Sequence, residues 1–422
     1  MHIVIIGNGV AGNIVASMVK RFYHEVTIIS EEVFPEYSAC ALPYYLCGEI
    51  PRQQVFLRKH EQYLSAGIHT IFGRKVSRIE AKNHKVIFED GNLNYDKLVI
   101  ATGAETMVPN IAGVEKTGVF TLKTLEDADK ILTYPKRKIV IIGSGLIGVE
   151  VGIALRMRGF EVVFIELLDW VLPRAFDKKP ADIIELILRK HGINVLTKER
   201  VVQILGKERV EGVETDKQRI QCDLVILSTG MRPRVDLARS AGIEIGDLGG
   251  ILTNEQMRTN VKNIYACGDC VESRDVVMDK NSLQLIWPNA VLQGKIVGCN
   301  CIGIPRRYPG FLNVVGIDIF GIHAASIGHT KAAFRSDANI KTFEAAYRKY
   351  YHVMVVKDGA IIGAQFVGNT RDVGVISQAI RKRLCLEEIK KTTSNRKLLT
   401  INPLYLKADQ IWSEPLRVDT LG

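Results

Sequence analysis

The sequence has few of the features that mark secreted, fibrous or membrane proteins. Its 422 residues include only eight cysteines, which are too sparse for a disulfide framework. No apolar run reaches the ~20 uninterrupted residues of a membrane span, and the best candidate, 139–155, is broken by Glu150 and by glycines. Nothing resembles a signal peptide, because MHIVIIG begins directly on a predicted strand. These absences predict a cytoplasmic protein with mostly reduced thiols.

The composition is that of an ordinary globular protein, with 47% hydrophobic and 24% charged residues. The length predicts two or three domains. The net charge of +10 is scattered, apart from a basic stretch at 381–397 that two glutamates interrupt. A solvated helix and loop is the first interpretation of this stretch, and a surface that attracts a phosphorylated small molecule is the second. We find no nucleic-acid motif and expect no nucleic-acid partner.

A repeat organises the first half of the chain. The segments HIVIIGNGVAG and KIVIIGSGLIG begin at His2 and Lys138, and IVIIG is identical in both. Each copy contains a β-branched apolar run, a glycine turn, a stretch of helical periodicity and a second apolar run. The matching glycines are Gly7, Gly9 and Gly12 in the first copy and Gly143, Gly145 and Gly148 in the second.

This pattern is typical of dinucleotide binding. The first glycine makes the tight turn, the second lets backbone amides approach a pyrophosphate, and the third lets the helix pack closely on the strand. The phosphates then lie at the helix N-terminus, where unpaired N–H groups and the helix dipole favour anions. One GxGxxG is weak support, but two copies in matching contexts predict two dinucleotide sites.

Acidic residues after each second strand predict which nucleotides bind. Glu166 can accept a hydrogen bond from a ribose 2′-hydroxyl and would repel a 2′-phosphate, and no Arg or Lys follows it before Arg174. The second site is therefore predicted to take NADH, with NADPH less favoured. In the first copy Ser30 aligns with Glu166, and we expect the next residue, Glu31, to accept the ribose. Two sites suggest two different dinucleotides, one of them commonly a permanently held flavin.

Three further segments complete a family resemblance. They are KLVIATGAETMVP (97–109), LVILSTGMRPRVD (224–236) and TNEQMRTNVKNIYACGDCVE (253–272). Together with the repeats, they resemble the pyridine nucleotide–disulfide oxidoreductase family over essentially the whole chain. The stretch YSACALPYY resembles most the coenzyme A-disulfide reductases and the related NADH oxidases and peroxidases, which use one cysteine.

The resemblance implies an α/β fold with two Rossmann-like domains and an α+β C-terminal domain. It implies a discontinuous FAD domain at 1–110 and 253–308, an inserted NAD(P)H domain at 111–252, and a dimerisation domain at 309–422 that would make a homodimer. The helix from Trp287 would point its N-terminus towards the flavin. The implied FAD-site residues are Gly7, Gly9, Gly12, Glu31, Ala101, Thr102, Gly103 and Asp269. The implied NADH-site residues are Gly143, Gly145, Gly148 and Glu166.

The two cysteines of YSACALPYYLCG are not equivalent. Pro43 fits the first turn of a helix, which places Cys40 where the positive end of the helix dipole favours a thiolate. Cys47 then lies about 10 Å along the axis at ~1.5 Å per residue, beyond the reach of a disulfide. The four-residue gap of the family's two-cysteine members is also absent. Cys40 is therefore the predicted redox residue and Cys47 a bystander.

The other cysteines are predicted to pack in the core. Cys267 and Cys270 have CxxC spacing, but one CxxC is weak support for a metal or redox pair, and we expect no metal site. The resemblance already assigns the Gly-Asp between them to FAD. Nothing beside the remaining four suggests chemistry; these are Cys222, Cys299, Cys301 and Cys385.

The resemblance also suggests residues that handle the substrate. No histidine follows His352, so the His-Glu acid/base pair of the glutathione- and lipoamide-type members is missing. Tyr405 is the candidate to protonate a leaving thiolate across the dimer, and an ordinary packing tyrosine is the alternative. Lys20 and Arg21 stand where coenzyme A-disulfide reductases hold coenzyme A phosphates, and could equally be the solvated end of a helix.

The implied function is electron transfer from NADH through FAD to Cys40 and on to a small disulfide such as coenzyme A disulfide or polysulfide. An NADH oxidase or peroxidase, in which Cys40 forms a sulfenic acid with oxygen or peroxide as acceptor, is the first alternative. A ferredoxin- or rubredoxin-type reductase needs no cysteine, so the thiol in its ALPYY context disfavours it. A non-catalytic flavoprotein that binds NADH and changes assembly also stays open.

Overall fold

The structure, a computed structural model, describes residues 1–334, 337, 339–347 and 350–385. Strands and helices alternate through the first half, and antiparallel strands dominate the end. The described helices are α1 (Val10–Lys20), α2 (Leu42–Cys47), α3 (His60–Ser65), α4 (Leu125–Thr133), α5 (Leu146–Met157), α6 (Lys178–Lys190), α7 (Asp236–Ser240), α8 (Trp287–Cys301) and α9 (Val373–Arg381).

The described strands are mostly short. They are β1 (His2–Ile6), β2 (Glu25–Ser30), β3 (His69–Phe72), β4 (Val76–Glu80), β5 (Lys85–Phe88), β6 (Gly91–Asn94), β7 (Lys97–Ile100), β8 (Ala104–Thr106), β9 (Val119–Thr121), β10 (Lys138–Ile142), β11 (Glu161–Ile165), β12 (Ile193–Leu196), β13 (Val201–Leu205), β14 (Gly212–Thr215), β15 (Arg219–Gln221), β16 (Leu224–Leu227), β17 (Met231–Pro233), β18 (Ile251–Leu252), β19 (Ile264–Ala266), β20 (Val271–Arg274), β21 (Asn281–Ser282), β22 (Val314–Ile319), β23 (Ile322–Gly328), β24 (Ile340–Tyr347), β25 (Tyr350–Lys357) and β26 (Ala360–Val367).

The chain forms two compact units. The first contains Met1–Met107, Lys123–Ala128 and Met231–Phe311, and the second contains Val108–Leu122, Asp129–Gly230 and the described residues from Leu312 onward. The predicted three-domain boundaries and the homodimer stay predictions.

A five-stranded parallel sheet forms the core of the first unit, in the order β19-β7-β1-β2-β3. Its central strand β1 is buried at Ile3, Val4 and Ile5, as a strand covered on both faces must be. Helix α1 crosses from β1 to β2 and packs against α8. A Cβ on Gly294 of α8 would lie 2.8 Å from the carbonyl oxygen of Ala11, so glycine lets these helices approach closely.

The second unit repeats this construction. Its parallel sheet has the order β12-β11-β10-β16-β9, and α5 crosses from β10 to β11. A five-stranded antiparallel sheet follows, in the order β22-β23-β26-β25-β24, and α9 packs on β23 and β26. The predicted α/β class, with two Rossmann-like repeats and an α+β C-terminal part, is confirmed. No helix in the described ranges is long and apolar enough to cross a membrane.

Asp177 joins α6 to the antiparallel sheet within the second unit. Its Oδ2 accepts hydrogen bonds from Nε2 of Gln365 at 2.6 Å and from the backbone N–H of Lys331 at 2.9 Å. Its Oδ1 accepts the N–H of Ala332 at 2.9 Å, and its own N–H donates to Oε1 of Gln365 at 2.7 Å. Gln365 is fully buried. One carboxylate therefore satisfies a buried amide and two backbone donors.

We expect Asp177→Ala to lower the free energy of unfolding by about 2–4 kcal/mol, because it leaves the buried Gln365 amide without its acceptor. The matched control is Asp182→Ala, which removes only an exposed ion pair with Lys178 and should cost less than about 1 kcal/mol. Urea unfolding midpoints of the purified proteins measure both. Equal losses in the two variants would contradict this role for Asp177.

Candidate active site

The first glycine turn has no room for side chains at two of its three positions. Gly7 has φ +116° and its N–H donates to the carbonyl of Ile29 at 2.8 Å. A Cβ on Gly7 would lie 2.1 Å from the carbonyl oxygen of Ala101, and one on Gly12 would lie 2.2 Å from that of Gly7. A Cβ on Gly9, at the N-cap of α1, would meet no described atom within 4 Å. The open space thus lies beside the first backbone amides of α1, which suits a pyrophosphate.

The second turn has the same construction. Gly143 has φ +98°, and a Cβ there would lie 2.3 Å from the carbonyl oxygen of Ser228. A Cβ on Gly148 would lie 2.3 Å from the carbonyl oxygen of Gly143, whereas one on Gly145 would meet no described atom within 4 Å. Both turns therefore have the shape that a dinucleotide needs, which is compatible with the predicted FAD in the first unit and the predicted nicotinamide dinucleotide in the second.

The other predicted FAD-site residues lie at the same edge of the first parallel sheet. Ala101 and Thr102 follow β7, and Thr102 Oγ1 donates to the carbonyl of Arg234 at 2.8 Å. Gly103 has φ +69°, and its carbonyl accepts the N–H of Arg234 at 2.9 Å. Asp269 follows β19, the neighbour of β7, and lies 3.4 Å from Nζ of Lys123. Carboxyl ends of neighbouring parallel strands meet at one edge, so the sheet brings these residues to the Gly7 turn.

The structure adds three residues to this edge that the sequence did not indicate. Lys123 offsets the charge of Asp269. The fully buried Gln293 of α8 accepts the N–H of Gly268 at 2.7 Å and so fixes the turn before Asp269. Arg234 forms an ion pair with Glu31, the predicted ribose acceptor. Each partner is more than 20 residues away along the chain, so no local motif could have indicated these pairs.

The acids after β2 have separate surroundings. Glu31 is partly exposed and pairs with Arg234. Oε2 of Glu32 accepts the hydroxyl hydrogen of Tyr37 at 2.7 Å, and burial raises the pKa of this carboxyl. Ser30 is buried, and its Oγ accepts the N–H of Glu32 at 3.2 Å. Of these residues, Glu31 therefore has the more accessible carboxylate. That it accepts a hydrogen bond from the ribose stays a prediction.

Cys40 lies in a helical segment held at the carboxyl end of β2. A 3₁₀ turn, Ala39–Ala41, leads directly into α2, with Pro43 in the first turn. Cys40 is exposed. The preceding Tyr37 donates to Glu32 and accepts the N–H of Leu125 at 3.2 Å. These two hydrogen bonds hold Tyr37, three residues before Cys40, in place.

Cys47 is the last residue of α2, which ends at Gly48 in the left-handed conformation, φ +88°. Its Sγ donates to the carbonyl of Tyr44 at 3.2 Å, and burial raises the pKa of this thiol. The helix between Cys40 and Cys47 is thus present as expected, and both residues carry thiols. A raised pKa lowers the thiolate fraction, which makes Cys47 a poor nucleophile.

The cysteines of the CxxC segment are in the core. Cys267, Cys270 and Cys301 are buried, and so is Cys222. Core packing is wrong for Cys385, which is exposed, and Cys299 is only partly buried. Burial raises the pKa of Cys270 to about 11 and that of Cys301 to about 12. Cys270 Sγ donates to the carbonyl of Cys267 at 3.3 Å. Among the described residues no cluster of three or more His, Cys, Asp and Glu side chains is arranged to hold a metal ion.

The remaining substrate candidates are only partly placed. Lys20 is the last residue of α1 and Arg21 follows as its C-cap. A Cβ on Gly67 would lie 2.9 Å from Cε of Lys20, so the lysine stem lies along that loop. Tyr405 lies outside the described residues.

Glu166 is held against the second glycine turn. Oε2 accepts the N–H and the hydroxyl of Ser144, both at 2.8 Å, and Oε1 accepts the N–H of Leu168 at 2.9 Å. The side chain is almost fully buried. Since a carboxylate oxygen accepts about two hydrogen bonds, Oε1 keeps capacity for one ribose hydroxyl.

Glu150 is a further candidate that the sequence showed only as a break in an apolar run. It lies in α5, whose neighbouring residues Val149 and Val151 are buried. Burial raises the pKa of its carboxyl to about 7. A titrating acid in the helix that follows a dinucleotide turn is typical of functional sites.

Two glycine turns on parallel sheets, with an exposed thiol in the segment that follows β2, are typical of a two-dinucleotide oxidoreductase. The profile of the pyridine nucleotide-disulphide oxidoreductase family matches residues 1–294, and the chain belongs to this family. The family implies FAD and a nicotinamide dinucleotide as cofactors.

Individual relatives agree over most of their length. The chain is 35% identical to a protein of Methanocaldococcus jannaschii named NADH oxidase, covering 92% of this chain and 93% of that one. It is 33% identical to the NAD(P)H coenzyme A polysulfide/persulfide reductase of Pyrococcus horikoshii, covering 87% of each. The solved structure of an NAD-dependent persulfide reductase from A. fulgidus matches with a TM-score of 0.91 and 30% identity, covering 97% of this chain and 82% of that one.

We expect Gly9→Ala to weaken FAD binding at least about tenfold without loss of stability, because the added methyl enters only the space left for the pyrophosphate. Flavin fluorescence and thermal unfolding of the purified protein measure the two effects. Gly374→Ala, at an equally open glycine in α9, is the control and should change neither. Gly12→Ala should instead destabilise the fold. Unchanged FAD affinity in Gly9→Ala would contradict the placement of the pyrophosphate.

Glu150 should make stability depend on pH. Its pKa in the folded protein is above that of the unfolded chain, so the folded state binds more protons between about pH 4.5 and 7. Stability therefore falls as the pH rises through this window, and Glu150→Gln should flatten the fall. Urea midpoints at several pH values measure it, and Glu161→Gln, at the exposed start of β11, should keep the wild-type curve. An unaltered curve in Glu150→Gln would contradict the burial of this carboxylate.

Proposed function

We propose that this protein oxidises NADH and uses the electrons, through FAD, to reduce a small disulfide such as coenzyme A disulfide or polysulfide at Cys40. The observation that carries the proposal is an exposed thiol in a helical segment that Tyr37 anchors at the carboxyl end of β2. The same sheet edge carries the Gly7 turn. Burial raises the pKa of five other thiols and makes them poorer nucleophiles: Cys47, Cys222, Cys267, Cys270 and Cys301. Cys385 is exposed as well, but it belongs to the second unit and not to the sheet that carries the Gly7 turn.

Each site residue then has a defined task. Gly7, Gly9 and Gly12 admit the FAD pyrophosphate to the amides of α1, and Gly143, Gly145 and Gly148 do the same for NADH at α5. Glu31 and Glu166 accept ribose hydroxyls. Asp269, with Lys123 beside it, orients the ribityl or pyrophosphate part against the turn formed by Ala101, Thr102 and Gly103. FAD, when bound, supplies the two-electron chemistry between the nicotinamide and the thiol.

The proposed reduction of the disulfide needs only NADH as the electron donor. The Cys40 thiolate attacks a sulfur of the disulfide, an S–S bond to Cys40 forms, the substrate S–S bond breaks, and one thiolate leaves. Two electrons from NADH then cleave the mixed disulfide and release the second thiolate. Overall, NADH, one proton and one disulfide become NAD⁺ and two thiols. Tyr405 is proposed to donate the proton to the leaving thiolate across a homodimer.

Coenzyme A as the thiol partner draws support from two sources. The P. horikoshii relative is named a coenzyme A polysulfide/persulfide reductase. Lys20 and Arg21, at the end of α1, offer two cations to the coenzyme phosphates. A location in the cytoplasm is compatible with a substrate of this kind. The carboxylate of Glu166 favours NADH over NADPH.

The second candidate function is an NADH oxidase or peroxidase. The M. jannaschii relative carries the name NADH oxidase, and an exposed thiol is also accessible to peroxide. Cys40 would then cycle between thiolate and sulfenic acid. The two functions share Cys40 and differ only in the acceptor.

We expect Cys40→Ser to lose at least about 99% of NADH-dependent reduction of coenzyme A disulfide, since the substitution removes the proposed nucleophile. Cys47→Ser, the matched control seven residues later, should keep activity within about twofold. Steady-state NADH oxidation with coenzyme A disulfide, polysulfide, peroxide or oxygen as acceptor measures both variants and ranks the acceptors. The proposal is wrong if Cys47→Ser abolishes turnover and Cys40→Ser does not. Turnover only with a small iron protein, undiminished in Cys40→Ser, would favour an electron-transfer reductase.

A further inference from the structure

The loop after β12 runs alongside the segment that follows β11 in the second unit. The N–H of Glu166 donates to the carbonyl of Leu196 at 2.8 Å. The N–H of Glu199 donates to the carbonyl of Glu166 at 3.0 Å. The N–H of Lys198 donates to the carbonyl of Leu168, also at 3.0 Å. Three backbone hydrogen bonds therefore fix Lys198 beside the predicted ribose acceptor.

Lys198 brings a cation to a place where the sequence indicates none. No Arg or Lys follows Glu166 before Arg174 along the chain, which predicted rejection of a 2′-phosphate. Lys198 lies 32 positions after Glu166 along the chain. Its Nζ is nevertheless 3.6 Å from Oδ2 of Asp169, in the segment that follows β11. Both side chains are more than half exposed, at 63% and 57%. The cation is thus accessible to a ligand and partly neutralised by Asp169.

The carboxylate of Glu166 is less free than the sequence suggests. Three hydrogen bonds from Ser144 and Leu168 hold it against the glycine turn, which fixes its orientation towards a ribose. The outer side of the segment is formed by the exposed side chains of Leu167 and Leu168. A phosphate on the 2′-oxygen of a ribose bound at Glu166 would add negative charge beside this carboxylate, so a cation in the adjoining segment would favour its binding.

We propose that Lys198 is the contact for the 2′-phosphate when this site takes NADPH, and that Asp169 limits this contact by holding Lys198 in an ion pair. The nucleotide preference is then set by two residues outside the glycine turn. The inference rests on the proposed function only in placing the nicotinamide nucleotide at Gly145, and it is independent of Cys40.

The experiment measures binding of NAD⁺ and NADP⁺ to the FAD-containing protein by calorimetry. Asp169→Asn should tighten NADP⁺ about three- to tenfold because it releases the cation, and Lys198→Gln should weaken NADP⁺ by a similar factor. NAD⁺ should change less than about twofold in both variants. Lys198→Arg should keep NADP⁺ binding, and the double variant Lys198→Gln with Asp169→Asn should lose the gain. The gain should also shrink as salt rises.

Lys178 and Asp182 provide a matched control pair. They lie in the same unit, form an ion pair at 2.7 Å and have comparable exposure, 62% and 49%. Lys178→Gln and Asp182→Asn should leave the NADP⁺-to-NAD⁺ affinity ratio unchanged. The inference is overturned if Lys198→Gln leaves this ratio unchanged or if the control pair shifts it equally. Failure of the nucleotide site itself would show separately, as NAD⁺ binding that Gly145→Ala does not weaken.

Discussion

The structure depends on two contacts between the main chain of a glycine turn and the main chain of the helix that follows it, and neither contact leaves space for a Cβ. The carbonyl of Gly7 meets Gly12 of the following helix, and the carbonyl of Gly143 meets Gly148 in the same way. This contact sets the distance between strand and helix, and it directs the first amides of each helix at an open volume. Because the contact is made by the main chain, only glycine satisfies it. The packing of the main chain therefore gives both turns the shape that a dinucleotide needs, before any side chain is considered.

The same sheet edge gives the thiol its environment. Tyr37 bonds to Glu32 on one side and to Leu125 on the other, so the segment that carries Cys40 is fixed relative to the end of β2. Cys40 is exposed in the 3₁₀ turn before α2, whereas the Sγ of Cys47 donates to the carbonyl of Tyr44 within that helix. Position and exposure, more than the identity of the residue, therefore distinguish the two cysteines.

The repeats, the fold class and the helix after Cys40 could be predicted from the sequence, because each depends on residues close together in the chain. Lys123, Arg234, Gln293 and Lys198 could not, because each reaches its partner through a strand order or a loop that no local pattern encodes. The sequence has no Lys or Arg close after Glu166, and this predicted a site without a cation. In the folded structure, however, Lys198 lies beside the segment that follows Glu166. Glu150 was visible as a charge in an apolar run, but only the packing of α5 gives it a raised pKa.

The central claim is that Cys40 is a second redox centre beside FAD. It is tested most directly by treating the purified protein with coenzyme A disulfide, removing the excess, and titrating it anaerobically with NADH while following flavin absorbance. The account predicts about two equivalents of NADH per flavin for the wild type, since the mixed disulfide and the flavin each take two electrons, and about one for Cys40→Ser. A wild-type protein that takes about one equivalent, with no difference in Cys40→Ser, would contradict it.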